Sequence, residues 1–508
     1  MIAFSRNTGG MGGPRRGLVF ILAAILLFIG APARGAAPDA LSIGSKSFTE
    51  SVILGEIARG LLLANGIGAS HRKQMGGTRI LWNALRRGDI DLYPEYTGTI
   101  RQEIYAERED IGSEAALRAA LAKDGIGMTH PLGFANNYAI GMAEDRAAAL
   151  GISTISGLSR ASGVRLGFSN EFMDRADGWP GLRRVYNFSS DAAQGLDHDL
   201  AYRALAEGEI DAIDLYSTDA EIAYYGLRVL KDDRGHFPNY DAVFLYRLDR
   251  AEAVPFLSPI ARLEGAIDEN AMAGLNKAVK IGKQPETDAA AEFLQRELGV
   301  SSQLKGEAFH SRLLRRTGEH LILVLVSLIA ATIIAIPLGI FAHRHARMGQ
   351  AALAVTGILQ TVPGLAMLVF MIPLFGIGAA PAMAALFLYS LLPIVRNTHA
   401  GLAEIDRSLI EAAEIFGLTR YSRLRRIELP LALPIILAGI KTSAVINIGT
   451  ATLGAIIGAG GYGQPILTGI RLDDMTLILE GAVPAALMAI AAQTGFDYAE
   501  KRLRRAPG

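Results

Sequence analysis

The chain has 508 residues, with 50 basic and 50 acidic side chains and half of its residues apolar, and that length exceeds one ordinary domain. A net charge of zero provides no electrostatic footprint for nucleic acid, and the absence of cysteine removes disulfides, thiolate catalysis and cysteine-held metals. The mean hydropathy, +0.27, is high for a soluble protein, and the excess lies in 320–495, where long apolar runs carry few charges.

The first element is PRRGLVFILAAILLFIGAPARGAAPDA (14–40). Arg15 and Arg16 precede an apolar run from Leu18 to Ala31, and small residues follow. That is the pattern of a secretory signal, and the run is shorter than the roughly 20 residues a span needs. Residues 1–37 are therefore a signal cleaved within 33–37 or an uncleaved anchor. Both send residue 40 onward outside the membrane. The paired arginines also make a weak twin-arginine signal, with ordinary secretion favoured.

Residues 38–302 alternate strand-like and helix-like runs. Leu41–Gly44 is a strand, ESVILGEIARGLLLANG is a helix of 3–4 residue apolar period ended by Gly66, and VRLGFSNEF (164–172) opens a similar unit. This alternation predicts an α/β sheet architecture. A doubled stretch adds to it. ALRRGDIDLYPEYTGT (84–99) and ALAEGEIDAIDLYSTD (204–219) align 120 residues apart, placing Asp91 on Asp211, Tyr96 on Tyr216 and Thr97 on Ser217. Two units of like design, one per lobe, are expected. Ligands of open α/β sheets sit beyond the strand C-termini, so Tyr96 and Tyr216 fall where ligand contacts belong. Asp91, Asp211, Thr97 and Ser217 are expected to serve the turns.

Residues 303–319 are expected to be a linker and 320–500 a membrane domain with five apolar spans, near 320–342, 351–375, 379–395, 430–458 and 475–495. Pro337 and Pro363-Gly364 are expected breaks. Basic residues cluster after the first, third and fifth spans, in HRHAR (343–347), 396–428 and EKRLRR (500–505), whereas the other connections carry Arg471 alone. Positive loops stay in the cytoplasm. The first span then enters from outside, where a secreted domain would leave it, and 501–508 is a basic cytoplasmic tail.

The loop 396–429 contains EAAEIFGLTRYSRLRRIELP (411–430), which matches the spacing E-A-A-x3-G-x9-I-x-L-P. It resembles the coupling segment of bacterial ABC importer permeases. The resemblance implies that Glu411, Ala412, Ala413 and Gly417 contact a separate ATPase chain. No Walker A sequence (G-x4-G-K-[ST]) is present, so ATP and magnesium are expected on that partner and no cofactor on this chain. The family also implies a permease that works as a pair, here a homodimer.

Residues 41–300, from IGSKSFTESVILGEIARGLL through GDIDLYPEYTGT and FANNYAIGM to FPNYDAV, resemble the type II, two-lobed binding proteins of osmoprotectant importers. The chain therefore resembles a natural fusion of binding protein and permease for glycine betaine, choline or a related solute. A trimethylammonium accepts and donates no hydrogen bond, but aromatic faces attract it by about 0.5–2 kcal/mol per ring. A betaine's carboxylate wants cationic or hydroxyl donors. The resemblance places Tyr96, Tyr138, Tyr216 and Tyr240 in the cation cage with Asn136, and Lys46, Thr99 and Arg175 at the carboxylate. Trp82 and Trp179 fall outside the cage motifs, Tyr93 is the substitute for a shifted register, and Arg175, flanked by Asp174 and Asp177, has a surface ion pair as its competing reading. No nucleophile–base pair or metal cluster argues for an enzyme. A tethered sensor without transport is the rival of a different class.

Overall fold

A computed structural model describes residues 40–108, 110–188, 193–302, 304 and 307–505. The signal or anchor expected over 1–37 lies outside them. Ten strands, β1 (Leu41–Gly44), β2 (Ala69–Arg72), β3 (Leu92–Tyr96), β4 (Ile126–Met128), β5 (Tyr138–Ala143), β6 (Leu166–Ser169), β7 (Ala193–Leu196), β8 (Ala212–Tyr216), β9 (Leu227–Leu230) and β10 (Ala242–Arg247), form two sheets. Their orders are β2-β1-β3-β10-β4 and β7-β6-β8-β5-β9. Each sheet has three parallel strands followed by an antiparallel one, β10 against β3 and β5 against β8. Lobe 1 carries the first sheet and lobe 2 the second. The chain crosses between them along 129–137 and 231–241, and these crossings pair at Ala135 and Asp241.

In lobe 1, α1 (Thr49–Ala64) has 13 buried residues of 16, so it is an internal helix rather than an amphipathic cover. Next, α2 (Thr78–Arg87) ends where Gly88 takes φ 81°, a left-handed turn that glycine accepts without strain. Its counterpart in lobe 2, α3 (His198–Ala206), is followed by Gly208 at φ 73°. The doubled sequence thus builds the same helix stop twice. After each stop an aspartate anchors the neighbouring strand. Asp91 Oδ2 accepts the Ser42 amide at 2.8 Å, and Asp211 Oδ2 accepts the Arg165 amide at 2.9 Å. Thr97 and Ser217 hold the two crossings. Thr97 Oγ1 accepts the Asp241 amide at 3.1 Å and Ser217 Oγ the Asn137 amide at 3.0 Å. Helices α4 (Glu269–Lys280) and α5 (Glu286–Leu298) then return to pack on α1.

The expected linker over 303–319 is helical from Phe309 onward. The helix α6 (Phe309–Arg344) runs without interruption into the first span. An ion pair one turn apart, Arg315–Glu319, and contacts from Arg312 and Arg316 to Glu480 fix its first turns. Helix α6 also continues through Pro337, so that expected break does not occur. Neighbouring helices can supply what a proline removes. By contrast α7 (Ala346–Thr361) and α8 (Gly364–Phe375) meet at 102°. Pro363 breaks the run there, and the Tyr389 hydroxyl donates to the freed Val362 carbonyl at 2.6 Å.

The third span, expected over 379–395, is the longer helix α9 (Ala379–Ala403). The loop expected to couple to the ATPase over 396–429 is correspondingly shorter. It comprises α10 (Arg407–Ile415), a turn at Gly417 with φ 73°, and helical turns over 420–428 that lead into α11 (Leu429–Thr450). Helix α12 (Gly463–Leu472) lies between α11 and α13 (Met475–Arg505). Among the described residues, four helices are long and apolar enough to cross a membrane, or five spans if the bent pair is one. Lobe 1 rests on the end of α8 and on α12. Arg87 Nη1 donates to the Ile372 carbonyl at 3.2 Å, and Gln74 lies within hydrogen-bonding reach of Gln464 and Thr468.

Candidate functional site

The strand ends and crossings bring four predicted tyrosines into one cleft between the lobes. Tyr96 closes β3 in lobe 1. Tyr138 opens β5 directly across from Tyr216, the last residue of β8, in lobe 2. Tyr240 comes from the second crossing, held where its carbonyl accepts the Asn136 amide at 3.0 Å. Ring centroids lie 5.0 Å apart for Tyr138–Tyr216 and 5.6 Å for Tyr138–Tyr240. Phe48, which the sequence reading did not select, bridges the lobes at 6.1 Å from Tyr96 and 5.7 Å from Tyr216. Phe237 also joins, 6.2 Å from Tyr138. Tyr93 is fully buried in the core of lobe 1, away from these rings. Trp82 and Trp179 pack in separate cores.

Lys46, Thr99, Asn136 and Arg175 line the same cleft, whose volume is about 20 Å³. That is room for about one water, so a larger guest enters only as the lobes part. Lys46 Nζ lies 2.5 Å from Glu95 Oε1 and 5.6 Å from the Tyr96 ring centroid. Arg175 is no surface pair. It is buried, with Nε donating to Asp177 Oδ1 at 2.9 Å, Nη2 to Asp177 Oδ2 at 2.6 Å and Nη1 to Glu103 at 3.0 Å, and its guanidinium sits 5.4 Å from the Tyr138 centroid. Tyr240 Oη donates to the same Asp177 at 2.5 Å. A guanidinium has five N–H donors, so donors remain beyond these three bonds.

Glu50, the second residue of α1, is the residue that sequence reasoning missed most clearly. It is 2 % exposed. Its Oε1 accepts from Tyr96 Oη at 2.5 Å and Asn136 Nδ2 at 2.9 Å, and its Oε2 from Thr218 Oγ1 at 2.6 Å and Asn276 Nδ2 at 3.1 Å. These donors come from lobe 1, the first crossing, lobe 2 and α4, so one carboxylate ties four segments together. Burial raises its pKa to about 7, although bonds from Thr218, Tyr96 and Asn276 pull the other way. With its amide nitrogen on Glu50, Asn136 keeps Oδ1 without a hydrogen-bond donor among the described residues. That leaves an electronegative oxygen beside the rings. Glu171 also lines the cleft. Nothing in periodicity marks Glu50, since a glutamate in the first turn of a helix is ordinarily a dipole partner.

Behind Tyr216 stands His198, with ring centroids 4.7 Å apart. Its Nε2 lies 3.2 Å from Asp219 Oδ2, and Asp219 also accepts from the Tyr216 amide and from Tyr202 Oη. Burial pushes the imidazole down, but the bond to Asp219 and the charges of Asp219 and Asp214 hold its pKa at about 9. His198 is thus an imidazolium that fixes the rear of this ring.

The four expected coupling residues lie on and just after α10, far along the chain from the cleft. Glu411 is exposed and pairs loosely with Arg407 at 3.4 Å, Ala412 is exposed, Ala413 is buried, and Gly417 makes the turn. Beside them Ile415 and Phe416 are each 85 % exposed, an apolar edge that the sequence reading left out.

Two family models match the chain. The substrate-binding domain of ABC-type glycine betaine transport systems matches residues 39–296, and the inner-membrane component of binding-protein-dependent transport systems matches 335–506. Curated relatives resemble the second half. The glycine betaine/carnitine/choline transport system permease protein OpuCB of Bacillus subtilis is 44% identical over 178 residues, 35% of this chain and 82% of the relative. The osmoprotectant import permease protein OsmW of Salmonella typhimurium is 45% identical over 179 residues, 34% of this chain and 83% of the relative. Among solved structures, one described as a glycine betaine/carnitine/choline ABC transporter is 28% identical, with a TM-score of 0.44 over 50% of this chain and 98% of that one.

Proposed function

The chain belongs to the ABC-type glycine betaine transport family, with substrate-binding domain and multi-pass inner-membrane permease in one polypeptide, and from that premise we propose how it works. The extracytoplasmic domain captures a quaternary-ammonium osmoprotectant, glycine betaine first among them, and the permease domain of the same chain imports it. The observation that carries this reading is the convergence of Tyr96, Tyr138, Tyr216 and Tyr240 from both lobes and a crossing, with Lys46 and Arg175 at their edge. Rings on several sides suit a cation that no hydrogen bond can grip.

Opening of the lobes admits the ligand and closure traps it, a hinge motion of the ordinary kind. The trimethylammonium takes the ring faces against which Arg175 and Lys46 now lie. Those two cations then face the carboxylate with Thr99. Import energy comes from ATP and magnesium on a separate ATPase that docks at α10, where Glu411, Ala412 and Gly417 meet it beside the exposed Ile415 and Phe416, while Ala413, expected among the contacts, is buried. Two copies of the chain pair to complete one pore. This chain itself catalyses no reaction.

A second reading, choline, is favoured by one observation: both cations are already ion-paired, Lys46 with Glu95 and Arg175 with Asp177 and Glu103. Calorimetry on the purified full chain, with and without Arg175→Ala, separates the two. A betaine reading expects at least a tenfold loss for glycine betaine and little change for choline. Equal losses for both would move Arg175 to a scaffolding role, and no binding of either would sink the function.

A further inference from the structure

The end of α12 and the turn after it reach into the binding domain. Arg471 is 6 % exposed. Its Nη1 donates to Thr49 Oγ1 at 2.7 Å and its Nη2 donates to Glu286. With the Gln74 amide turned so that its oxygen faces the guanidinium, Arg471 Nε and Nη2 reach that oxygen at 2.9 and 3.0 Å. Gln74 itself is held at φ 57°, a conformation a non-glycine residue seldom adopts. Leu472 is buried in the apolar core of the binding domain, and Lys283 Nζ donates to its carbonyl. Thr49 and Gln74 belong to lobe 1 and Glu286 to α5 packed on it, while Lys283 follows α4, which is also tied to lobe 2 through Lys280 to Asp199 and Glu221.

Next along the chain, the Asp473 carbonyl still accepts from Lys283 at 3.4 Å, but its carboxylate pairs with Arg203 on α3 of lobe 2. This contact differs in kind. Arg203 and Asp473 are 41 % and 70 % exposed, so the pair is weak and easily broken. A cavity of about 220 Å³ lies beside it, lined by Tyr202 and Tyr225 of lobe 2 and by Lys280 and Lys283. The seam with lobe 1 is buried; the seam with lobe 2 is loose.

We propose that lobe 1 is the fixed half of the binding domain, seated on the permease through Arg471 with or without ligand. Lobe 2 is the moving half, and its closure brings Arg203 to Asp473, so that the 471–473 turn reports closure to the permease. The report has a mechanical route in both directions. Thr49, which holds Arg471, directly precedes Glu50, whose carboxylate joins Tyr96 to Thr218 of lobe 2. On the permease side, a Cβ on Gly469 or Gly481 would meet atoms of the facing segment within 2.7 and 2.3 Å. Such close packing of α12 on α13 passes a shift of the turn to a spanning helix.

The inference rests on the import reading and can be tested apart from it, because the chain has no cysteine. Two double variants of the full chain in nanodiscs share one probe position: Lys283→Cys with Asp473→Cys for lobe 1, and Arg203→Cys with Asp473→Cys for lobe 2. Each is treated with a short bifunctional thiol reagent, with and without saturating glycine betaine or choline. The lobe 1 pair should cross-link equally fast in all cases, and the lobe 2 pair at least fivefold faster with ligand. Adding Arg471→Ala should slow lobe 1 cross-linking at least fivefold, with Arg471→Lys recovering part of the rate. A ligand-independent lobe 2 rate, a ligand-dependent lobe 1 rate, or no effect of Arg471→Ala overturns the proposal when calorimetry shows ligand binding. If neither compound binds, the import reading fails and takes this proposal with it.

Discussion

Glu50 sets the electrostatics of the cleft. As an anion it gives four donors one acceptor group and offers a cationic guest a fixed counter-charge. Its pKa is raised from 4.5 to about 7, so between those values the folded state binds more protons than the unfolded chain. Stability therefore falls as pH rises through that window, by about 3 kcal/mol at 1.36 kcal/mol per unit. Choline affinity should run the other way, rising about five- to tenfold from pH 5.5 to pH 8 as the carboxylate ionises. In Glu50→Gln both trends should flatten, as calorimetry and thermal unfolding at the two pH values would reveal. The rings should show a different signature. Tyr138→Ala removes a face against which four other rings pack and should weaken binding roughly tenfold or more, in line with about 0.5–2 kcal/mol per ring plus lost packing. Tyr138→Phe keeps the face and should stay within a few-fold. His198 gives a pH effect of its own. Its folded value near 9 lies above 6.5, so its stabilisation is complete below pH 6.5 and is lost as pH rises through 9. His198→Gln should remove that slope from the unfolding profile.

At the scale of elements, the doubled stretch accounts for how the cleft is built. Each copy is a helix stop at glycine, an aspartate that pins the adjoining strand, a strand, a tyrosine at its end, and a hydroxyl that holds a crossing. The helix stop, the strand and its closing tyrosine were legible in the sequence because they depend on local chemistry, whereas Asp91, Asp211, Thr97 and Ser217, expected to serve the turns, bond amides 46 to 144 positions away. The segment proposed to meet the ATPase behaves similarly: Asp406 caps α10 by accepting the Ser408 amide at 2.9 Å, and Gly417 turns the chain. Glu411→Arg, or Gly417→Asp at a left-handed φ, should abolish ATP-driven uptake in vesicles holding the partner ATPase while leaving ligand affinity unchanged. Uptake that survives both changes would remove α10 from the coupling path. Helix lengths were less legible. The spans of α6 and α9 outrun their apolar runs, because polar ends continue a helix wherever ion pairs and neighbouring helices support it.

For the whole molecule, the helical start of α6 and the buried Arg471 seat make the binding domain a docked part rather than a ball on a loose tether. Each chain carries one permease domain, and the proposed pore needs two, so native mass spectrometry of the purified transporter should find two chains, each of 54.1 kDa before any processing. A monomer that still supports uptake would contradict the paired pore. What the sequence determined by itself was the strand–helix alternation, the doubled stretch with its two tyrosines, the apolar spans and the charge of their connections, all of which rest on periodicity, charge placement and spacing written along the chain. The other cleft residues and the coupling role of the E-A-A segment came from the resemblance to a family. What only the tertiary structure decided was the company those residues keep. Lys46 meets Glu95, Arg175 meets Asp177, Glu50 gathers donors from Tyr96 to Asn276, and Arg471 finds Thr49 some 422 positions away. Such pairings are settled by which surfaces the fold brings together and deprives of water, and no local pattern records that.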